Sequence, residues 1–508
     1  MSKLKIDHTK LNFSAQILQG LDAIELLEDN DFKIQWEELL NKCKYGSVFQ
    51  HASFVLPWYR QNLEEFSPVI LLAYSSEKLV GLLTLARKID KQTGRYSRKL
   101  IGAGSFFALY QTWLVLPEFI NQFWERGLKI LWKEIPGCKI NLKSLPEKGV
   151  FLDMSNCSGF ERMSVLEKHP NPVLDFEAED YRKIIGKRHF RSKFNRLNKE
   201  GEVTFEKITS FDELKIVMET IEVLHNLRQG AAFNKTPFVQ NNNQKELFWE
   251  WFEKGILHVT ILRLNKELIA AVIIVNDFGI TAHLAGLITY SPKYAKLSPG
   301  LVHLYLLGQL LGNESFQNLK LSPGNDAYKE RFSNTHEELY EILISPNLTE
   351  RIFRKIRVQI RTFTLKINIR PMEVHVWFSK KISLLKNKWY WFWHQSKNLD
   401  LPTNLILDKL KLVSKSVHVK NAEINLNSSK ISDLLLIDDT CFEVSRWQFL
   451  MDAQKRLENH EKCITYVRDG KLRLCIWYVG DIGSIMDLYE LLPKGEIIKI
   501  YISRYFTL

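Results

Sequence analysis

Nowhere in the 508 residues do apolar side chains run on for the roughly 18 positions that a membrane-spanning helix requires. A bundle of spanning helices is therefore not expected. The opening residues, MSKLKIDHTKLNFSAQ, carry lysines but no apolar core long enough for a secretory signal. The expectation is a chain made and kept in the cytoplasm, at most peripheral on the inner membrane face. Cysteine is sparse: Cys43, Cys138, Cys157, Cys441, Cys463 and Cys475 are scattered, with no C-x-x-C pair and no His–Cys cluster at metal spacing. That pattern argues against a disulfide framework and against a metal centre, so the thiols read as reduced core residues. Acidic residues are outnumbered, 58 Asp and Glu against 70 Lys and Arg, for a net charge of +12 and a pI near 9.1. Such a balance favours an anionic partner, whether nucleic acid, lipid or a phosphate-rich cofactor, without choosing among them.

What is present is an ordinary globular composition, 45% hydrophobic and 25% charged, in a chain long enough for about three domains. Trp36 to Leu40 reads as a short helix, and Ser47 to Ser53 leads into a second one carrying Phe54, Trp58 and Tyr59. After Pro68, VILLAY, the polar turn Ser75 to Lys78 and LVGLLTL spell strand, turn, strand. The same unit returns as Leu257 to Leu264, Asn265 to Glu267 and Leu268 to Val275, and more weakly as Cys463 to Val467, Arg468 to Lys471 and Leu472 to Tyr478. Recurrence of one supersecondary unit points to duplicated domains.

Between Arg182 and Lys199 stand eight Lys and Arg and no acid. Phe190, Phe194 and Leu197 fall at helical spacing, so the cations, Arg191 among them, line the other faces as a solvated or an anion-binding surface. Phe211 to Leu227 is a further helix, and His225 and Arg228, three apart, share a face near its end. A histidine there suits a general base, or fills a polar slot in the core. The stretch from Ile280 to Asn334 then joins a strand holding His283 and Gly286 to Lys293, Lys296 and Ser298-Pro299-Gly300. Ser298 is expected to cap a helix over Leu301 to Leu311, with Pro299 in its first turn and Gly300 giving a ligand room against the backbone. Free amides at that terminus suit pyrophosphate oxygens, and Lys296 adds charge. An ordinary capped helix is the alternative. The compact motif Gly324-x-Asp326-x-Tyr328-Lys329 follows.

Taken in order, SVFQHASFVLPWY, KLVGLLTL, the basic helix ending in RLNKEG, LHNLRQGAAF, YAKLSPG and GNDAYKERF make the chain resemble a known family over about residues 35 to 345. That family is the CelD/BcsL-type branch of the GNAT acyltransferases, itself similar to the Fem-type peptidoglycan-bridge aminoacyltransferases. The resemblance implies an α/β (α+β) fold with tandem GNAT-like domains at 30–160 and 175–348, each a mixed, mainly antiparallel twisted sheet flanked by helices. It implies that the second domain binds the acyl donor: acetyl-CoA as a co-substrate rather than a resident cofactor, or an aminoacyl-tRNA in the Fem-like alternative. The pattern G-x-(D/E)-x-Y-K maps onto Gly324, Asp326, Tyr328 and Lys329, which makes Lys329 the first candidate for the acyl-transfer site. Candidate bases are His225, Asp326 and His283, in that order, with backbone amides near His283 to Thr289 facing the oxyanion. Lys296, Ser298, Pro299 and Gly300 are assigned to the donor, and Arg228, Tyr328, Gly324 and Arg191 to the substrate. The implied acceptor is a small molecule or a glycan- or lipid-linked precursor of the cell envelope or an exopolysaccharide. Two departures stand out. The general signature R/Q-x-x-G-x-G/A is absent, its place taken by Lys296 to Gly300, and the acid often found before the motif is Lys320. A non-catalytic membrane-associated scaffold of the same fold is the reading from another class.

Beyond the motif, Arg351 to Lys397 holds twelve Lys and Arg against one acid, Glu373, mixed with Ile352, Phe353, Ile356 and Trp389 to Trp393. This basic aromatic helical segment, 349–400, suits an anionic membrane surface through residues 351–397, nucleic acid, or packing on the enzyme. Arg370-Pro371 divides it into two shorter helices. Residues 401–508 read as a small α/β domain with a helix (Phe442 to Asn459), the third hairpin and an apolar strand, KIYISRYF.

Overall fold

The computed structural model describes residues 13–146, 160–367 apart from 242 and 325, 374, 376–382, 385, 427–428, 430–437 and 445–478. The first half builds β1 (Phe13–Gln19), β2 (Phe66–Ser75), β3 (Lys78–Ile89), β4 (Tyr96–Gly102), β5 (Leu114–Val115) and β6 (Lys139–Pro146). The apolar runs around Ser76 and Glu77 form the β2–β3 hairpin, both turn residues taking the positive φ that a tight hairpin needs. Nearly every residue of these two strands is buried, so they read as unbroken apolar runs rather than as alternation. β1 to β4 pair antiparallel in sequence order, and β6 joins β4 in parallel from Lys99↔Lys139 to Ile101↔Asn141.

After β7 (Ser164–Asp175) the second half repeats this order with β8 (Val203–Ile208), β9 (Leu257–Leu264), β10 (Glu267–Asp277), β11 (Thr281–Tyr290), β12 (Asn318–Lys320) and β13 (Thr335–Ile344). β8 to β11 are again antiparallel neighbours, and β12 again joins the fourth strand of its half in parallel. The two halves then trade their last strands. β7, which follows the first half, pairs with β12 of the second, while β13 pairs with β6 of the first. β7 and β13 pair with each other from Thr335↔Val173 to Ile344↔Ser164. The outcome is one 13-stranded sheet with the order β1-β2-β3-β4-β6-β13-β7-β12-β11-β10-β9-β8, β5 lying off this path against β3. The mixed, mainly antiparallel sheet in two repeated halves is the fold class expected from the sequence. β1 begins before residue 30, and β7 lies across the boundary between the two expected domains.

Helices cover both faces. Asn30–Lys42, capped by the Asp29 carboxylate at 2.8 Å from Phe32 N, is longer than the short helix read from the sequence. It packs with Ala52–Asn62 of the first half and with Phe211–Phe233 and Asn243–Glu253 of the second into one apolar core. The stacked rings of Phe54 and Trp251, 4.5 Å apart, lie at that junction. Ile120–Glu134 covers the other face of the first half, and Pro299–Asn313 that of the second.

The third hairpin is present as β15 (Lys462–Arg468) and β16 (Lys471–Tyr478), and among the described residues it forms, with β14 (Asn427–Ser428), a separate three-stranded sheet. Its helix, Arg446–Glu458, carries a Ser445–Gln448 capping box and packs closely on Phe211–Phe233. Trp447 Nε1 donates to Ala231 O at 2.9 Å, and a Cβ on Gly230 would lie 2.6 Å from Leu450 Cδ1, so a larger residue there would have to displace that side chain. KIYISRYF and Trp389 to Trp393 lie outside the described residues. No helix among the described residues is long and apolar enough to cross a membrane.

Candidate functional site

Two adjacent parallel strands that part create a wedge in a sheet, and the protein has two such places. In the first half, β4 and β6 separate after Ile101↔Asn141, and Gln111 occupies the gap. Its backbone N donates to Lys143 O and its Oε1 accepts from Lys143 N, both at 3.1 Å, while its Nε2 donates to Ser105 O at 2.6 Å. In the second half, β11 and β12 are paired only from Thr281↔Asn318 to His283↔Lys320. Beyond that point Ile274 of β10 faces three residues, 284–286, of β11, a bulge that turns backbone groups out of the ladder. The chain leaving β12 passes through Ser322, at φ +67°, and Gly324, at φ +143°, into the short helix Ala327–Phe332. Chemistry-bearing side chains border this second divergence.

Lys329 is buried, 6% exposed, beneath that loop. Its Nζ donates to Ser322 O at 3.1 Å and Pro323 O at 3.4 Å and faces Asp326 Oδ2 at 3.4 Å. Burial lowers its pKa and the Asp326 carboxylate opposes that shift. Gly324 lies over the pair, where a Cβ would stand 3.4 Å from Nζ. Ser322 Oγ donates to Leu284 O and so ties the loop to the β11 bulge. Tyr328, beside Asp326 and Arg228, is pushed up to about 12, chiefly by burial and then by the Asp326 charge, so its phenol holds its proton at neutral pH. Arg228 donates from Nη1 to Ile288 O on β11 and covers the Tyr290 ring.

The helix Pro299–Asn313 begins beside Tyr290, and a Cβ on Gly300 would touch that ring at 3.4 Å. Pro299 takes the first turn as expected. Ser298 differs. It ends the 3₁₀ turn Pro292–Leu297 in a left-handed conformation, φ +56°, and its side chain makes no cap bond. Its Oγ instead accepts from Lys193 Nζ at 2.8 Å. The chain enters the helix directly from another helical turn, which leaves no extended residue to aim a hydroxyl back at the first amides. Lys296 is exposed.

The basic stretch forms two helices, Tyr181–Ile185 and Arg188–Asn198. Phe190 and Leu197 are buried, Phe194 is half-buried, and Arg188, Arg191 and Arg196 are exposed. Sequence reasoning missed the special place of Lys193. The available signal was its position one residue before Phe194, on the side of the helix turned to the protein.

His225 and His283 are both buried, 5% and 0% exposed. His283, fully buried, holds Asp277 Oδ2 at 3.1 Å between the rings of Phe49 and Tyr110, and burial keeps its pKa low. Next to it Tyr110, Lys320, Glu337 and Asn171 join into a polar network between the halves, with Tyr110 OH donating to Glu337 Oε2 at 2.7 Å. Lys320, which stands shortly before the Gly324 to Lys329 motif, is thus paired with an acid from β13.

His225 packs edge-on against Phe238. Burial, reinforced by the Arg228 charge, moves its imidazole from 6.5 down to about 4. The folded state therefore declines a proton that the unfolded chain accepts, so stability is complete above pH 6.5 and is lost as pH falls toward 4. His225→Phe is expected to remove about 2–3 kcal/mol of that loss between pH 7 and pH 4.5. Urea unfolding of both proteins at the two pH values measures it, and an unchanged difference would refute the assignment.

Residues 186–330 match the Acetyltransferase (GNAT) domain family, the segment that holds the basic helix, β8 to β12 and the Gly324 to Lys329 motif. The GNAT resemblance read from the sequence holds for this segment. A comparison with curated proteins returns no match. Among solved structures the chain is similar to FemX, at 9% identity over 61% of this chain and 95% of that one, with a TM-score of 0.43. It is also similar to a tandem GNAT protein from the clavulanic acid biosynthesis pathway, at 11% identity over 65% and 98% of the two chains, TM-score 0.40. A third likeness is to the C-terminal domain of a putative lysylphosphatidylglycerol synthetase from Agrobacterium fabrum, at 11% identity over 65% and 95%, TM-score 0.40.

Proposed function

We propose that this protein transfers an acyl group from acyl-CoA, acetyl-CoA first among them, to an amine or hydroxyl of a cell-envelope or exopolysaccharide precursor. The observation that carries the reading is the divergence of β11 and β12 after His283↔Lys320, inside the GNAT-matching segment and beside the start of Pro299–Asn313. A thioester laid in that wedge meets backbone amides of the bulge at its carbonyl and Lys193, Lys296 and the helix terminus at its phosphates. The acceptor nitrogen or oxygen attacks the carbonyl carbon, the carbon–sulfur bond breaks, and the thiolate leaves. Asp326, with a side chain 43% exposed, is better placed than the buried histidines to take the acceptor's proton. Tyr328, still protonated, is the donor for the thiolate. The expected order of bases, His225 first, is accordingly revised to Asp326 first.

The exposed guanidiniums of Arg188, Arg191 and Arg196 support one competing reading, an aminoacyl-tRNA donor. Thermal unfolding separates the two. Acetyl-CoA at about 100 times its Kd is expected to add about 2.7 kcal/mol to stability, with no protection by aminoacyl-tRNA. Protection by charged tRNA alone would transfer the assignment to the second donor, and protection by neither would remove both.

A further inference from the structure

The helix Leu348–Lys366 is mounted with its polar side inward. Arg354 forms ion pairs with Glu167 at 2.6 Å and Glu341 at 3.0 Å, and Arg361 with Glu167 at 2.6 Å. Arg351 donates to Ser345 O at 3.0 Å, and Glu350 pairs with Lys139 at 2.6 Å. These contacts fix the helix across β7 and β13, at the joint between the halves. Glu167, His169 and Glu341 bring their ligand atoms within 4.8 Å of one another, but the two arginines already neutralise the carboxylates.

The opposite side of the helix is apolar and exposed. Ile352 is 47% exposed, Phe353 71%, Ile356 45%, Ile360 58% and Phe363 62%. At 100° per residue these side chains share one stripe, bordered by Lys355 and Lys366 on one edge and Arg357 on the other. All three cations are exposed. Trp377, Phe378, Ile382 and Leu385 are exposed as well, with Lys381 beside Trp377. An amphipathic helix on a globular protein ordinarily turns its apolar stripe to the core, and this one is reversed.

We infer that this face lies on an anionic lipid surface, with the apolar stripe at the level of the acyl chains and Lys355, Arg357 and Lys366 among the headgroups. Cations bordering an exposed apolar stripe are the arrangement such an interface requires. A second copy of the chain fits poorly, because stripe-to-stripe contact would bring the bordering cations of both copies together. The inference is independent of the acyl-transfer reading and survives its failure.

Co-sedimentation of the full chain with vesicles of phosphatidylcholine and phosphatidylglycerol tests it, with phosphatidylcholine alone as the control. Binding is expected to the mixed vesicles and to weaken as salt rises. Replacing all three cations, Lys355→Gln, Arg357→Gln and Lys366→Gln, is expected to lower partitioning roughly 100-fold. Ile356→Ser, Ile360→Ser and Phe363→Ser together are expected to lower it at least as far, with the thermal transition unchanged because these side chains touch no core. Absence of wild-type binding, or binding that both triple variants retain, overturns the inference. So does a fall in thermal stability in the serine variant, which would mean that another stretch of the chain covers the stripe. Loss of a dimer from the serine variant in sedimentation velocity, without wild-type vesicle binding, would assign the face to self-association instead.

Discussion

Lys329→Met is expected to lower turnover about 100-fold or more, with the chain still folding cooperatively. The Lys329 ammonium holds the carbonyls of Ser322 and Pro323 and the carboxylate of Asp326 in one place. Methionine keeps the length and apolar stem but leaves the Ser322 and Pro323 carbonyls without this donor and takes the cation from beside Asp326. Unpaired groups of this kind cost about 1–3 kcal/mol, so a modest fall in thermal midpoint accompanies the loss. The larger effect is on geometry. Without the tether, a loop already carrying positive φ at Ser322 and Gly324 relaxes, and the proposed base Asp326 shifts with it. A misplacement of about 1 Å at a reacting group costs on the order of 100-fold. Steady-state assays with acetyl-CoA beside a thermal melt check both parts. Retained turnover would remove Lys329 from the site, and a collapsed melt would show its role to be structural only.

A fragment limited to residues 176–345 is expected not to fold, although it holds the whole GNAT-matching segment. It lacks β7, whose Val165, Val173 and Leu174 are buried in the joint sheet, and it lacks β6, the other neighbour of β13. Burying those three side chains is worth roughly 5–9 kcal/mol, comparable with the whole stability of a typical domain at about 5–15 kcal/mol. The fragment would also present β12 and β13 as unpaired edges, which invites aggregation. Circular dichroism through a thermal ramp should show a cooperative transition for residues 13–367 and none for 176–345. A sharp transition in the short fragment would mean that the exchanged strands are dispensable.

Much of this architecture was legible because it is local. The unbroken apolar runs on either side of Ser76-Glu77 and of Asn265-Lys266 gave the β2–β3 and β9–β10 hairpins, whose turn residues all take positive φ. Pro299 marked the start of its helix, and the Gly324 to Lys329 spacing brought glycine, acid and lysine together. What could not be read depends on partners far away in the chain. The pairing of β7 with β13 begins between Val173 and Thr335, far apart in the chain, and no periodicity encodes that choice. Gln111 looks like any loop amide until Lys143 and Ser105 meet it. A histidine inside a helix, such as His225 in Phe211–Phe233, carries no mark in sequence of the side to which it turns. Ser298 misled for a local reason: its neighbours fit a cap, but the preceding turn determined its backbone.

During synthesis the order of events is constrained by β7. It leaves the ribosome when only the first half is complete, and its partners β12 and β13 are still to be made. At synthesis rates of about 5–20 residues per second, roughly ten to thirty seconds pass before residue 335 exists. Through that interval the nascent chain carries one strand with no place in the half already built, and the edge of β6 waits for a strand not yet translated. The last strand of the large sheet to be made, β13, joins both at once, so that sheet closes at a single late step rather than half by half.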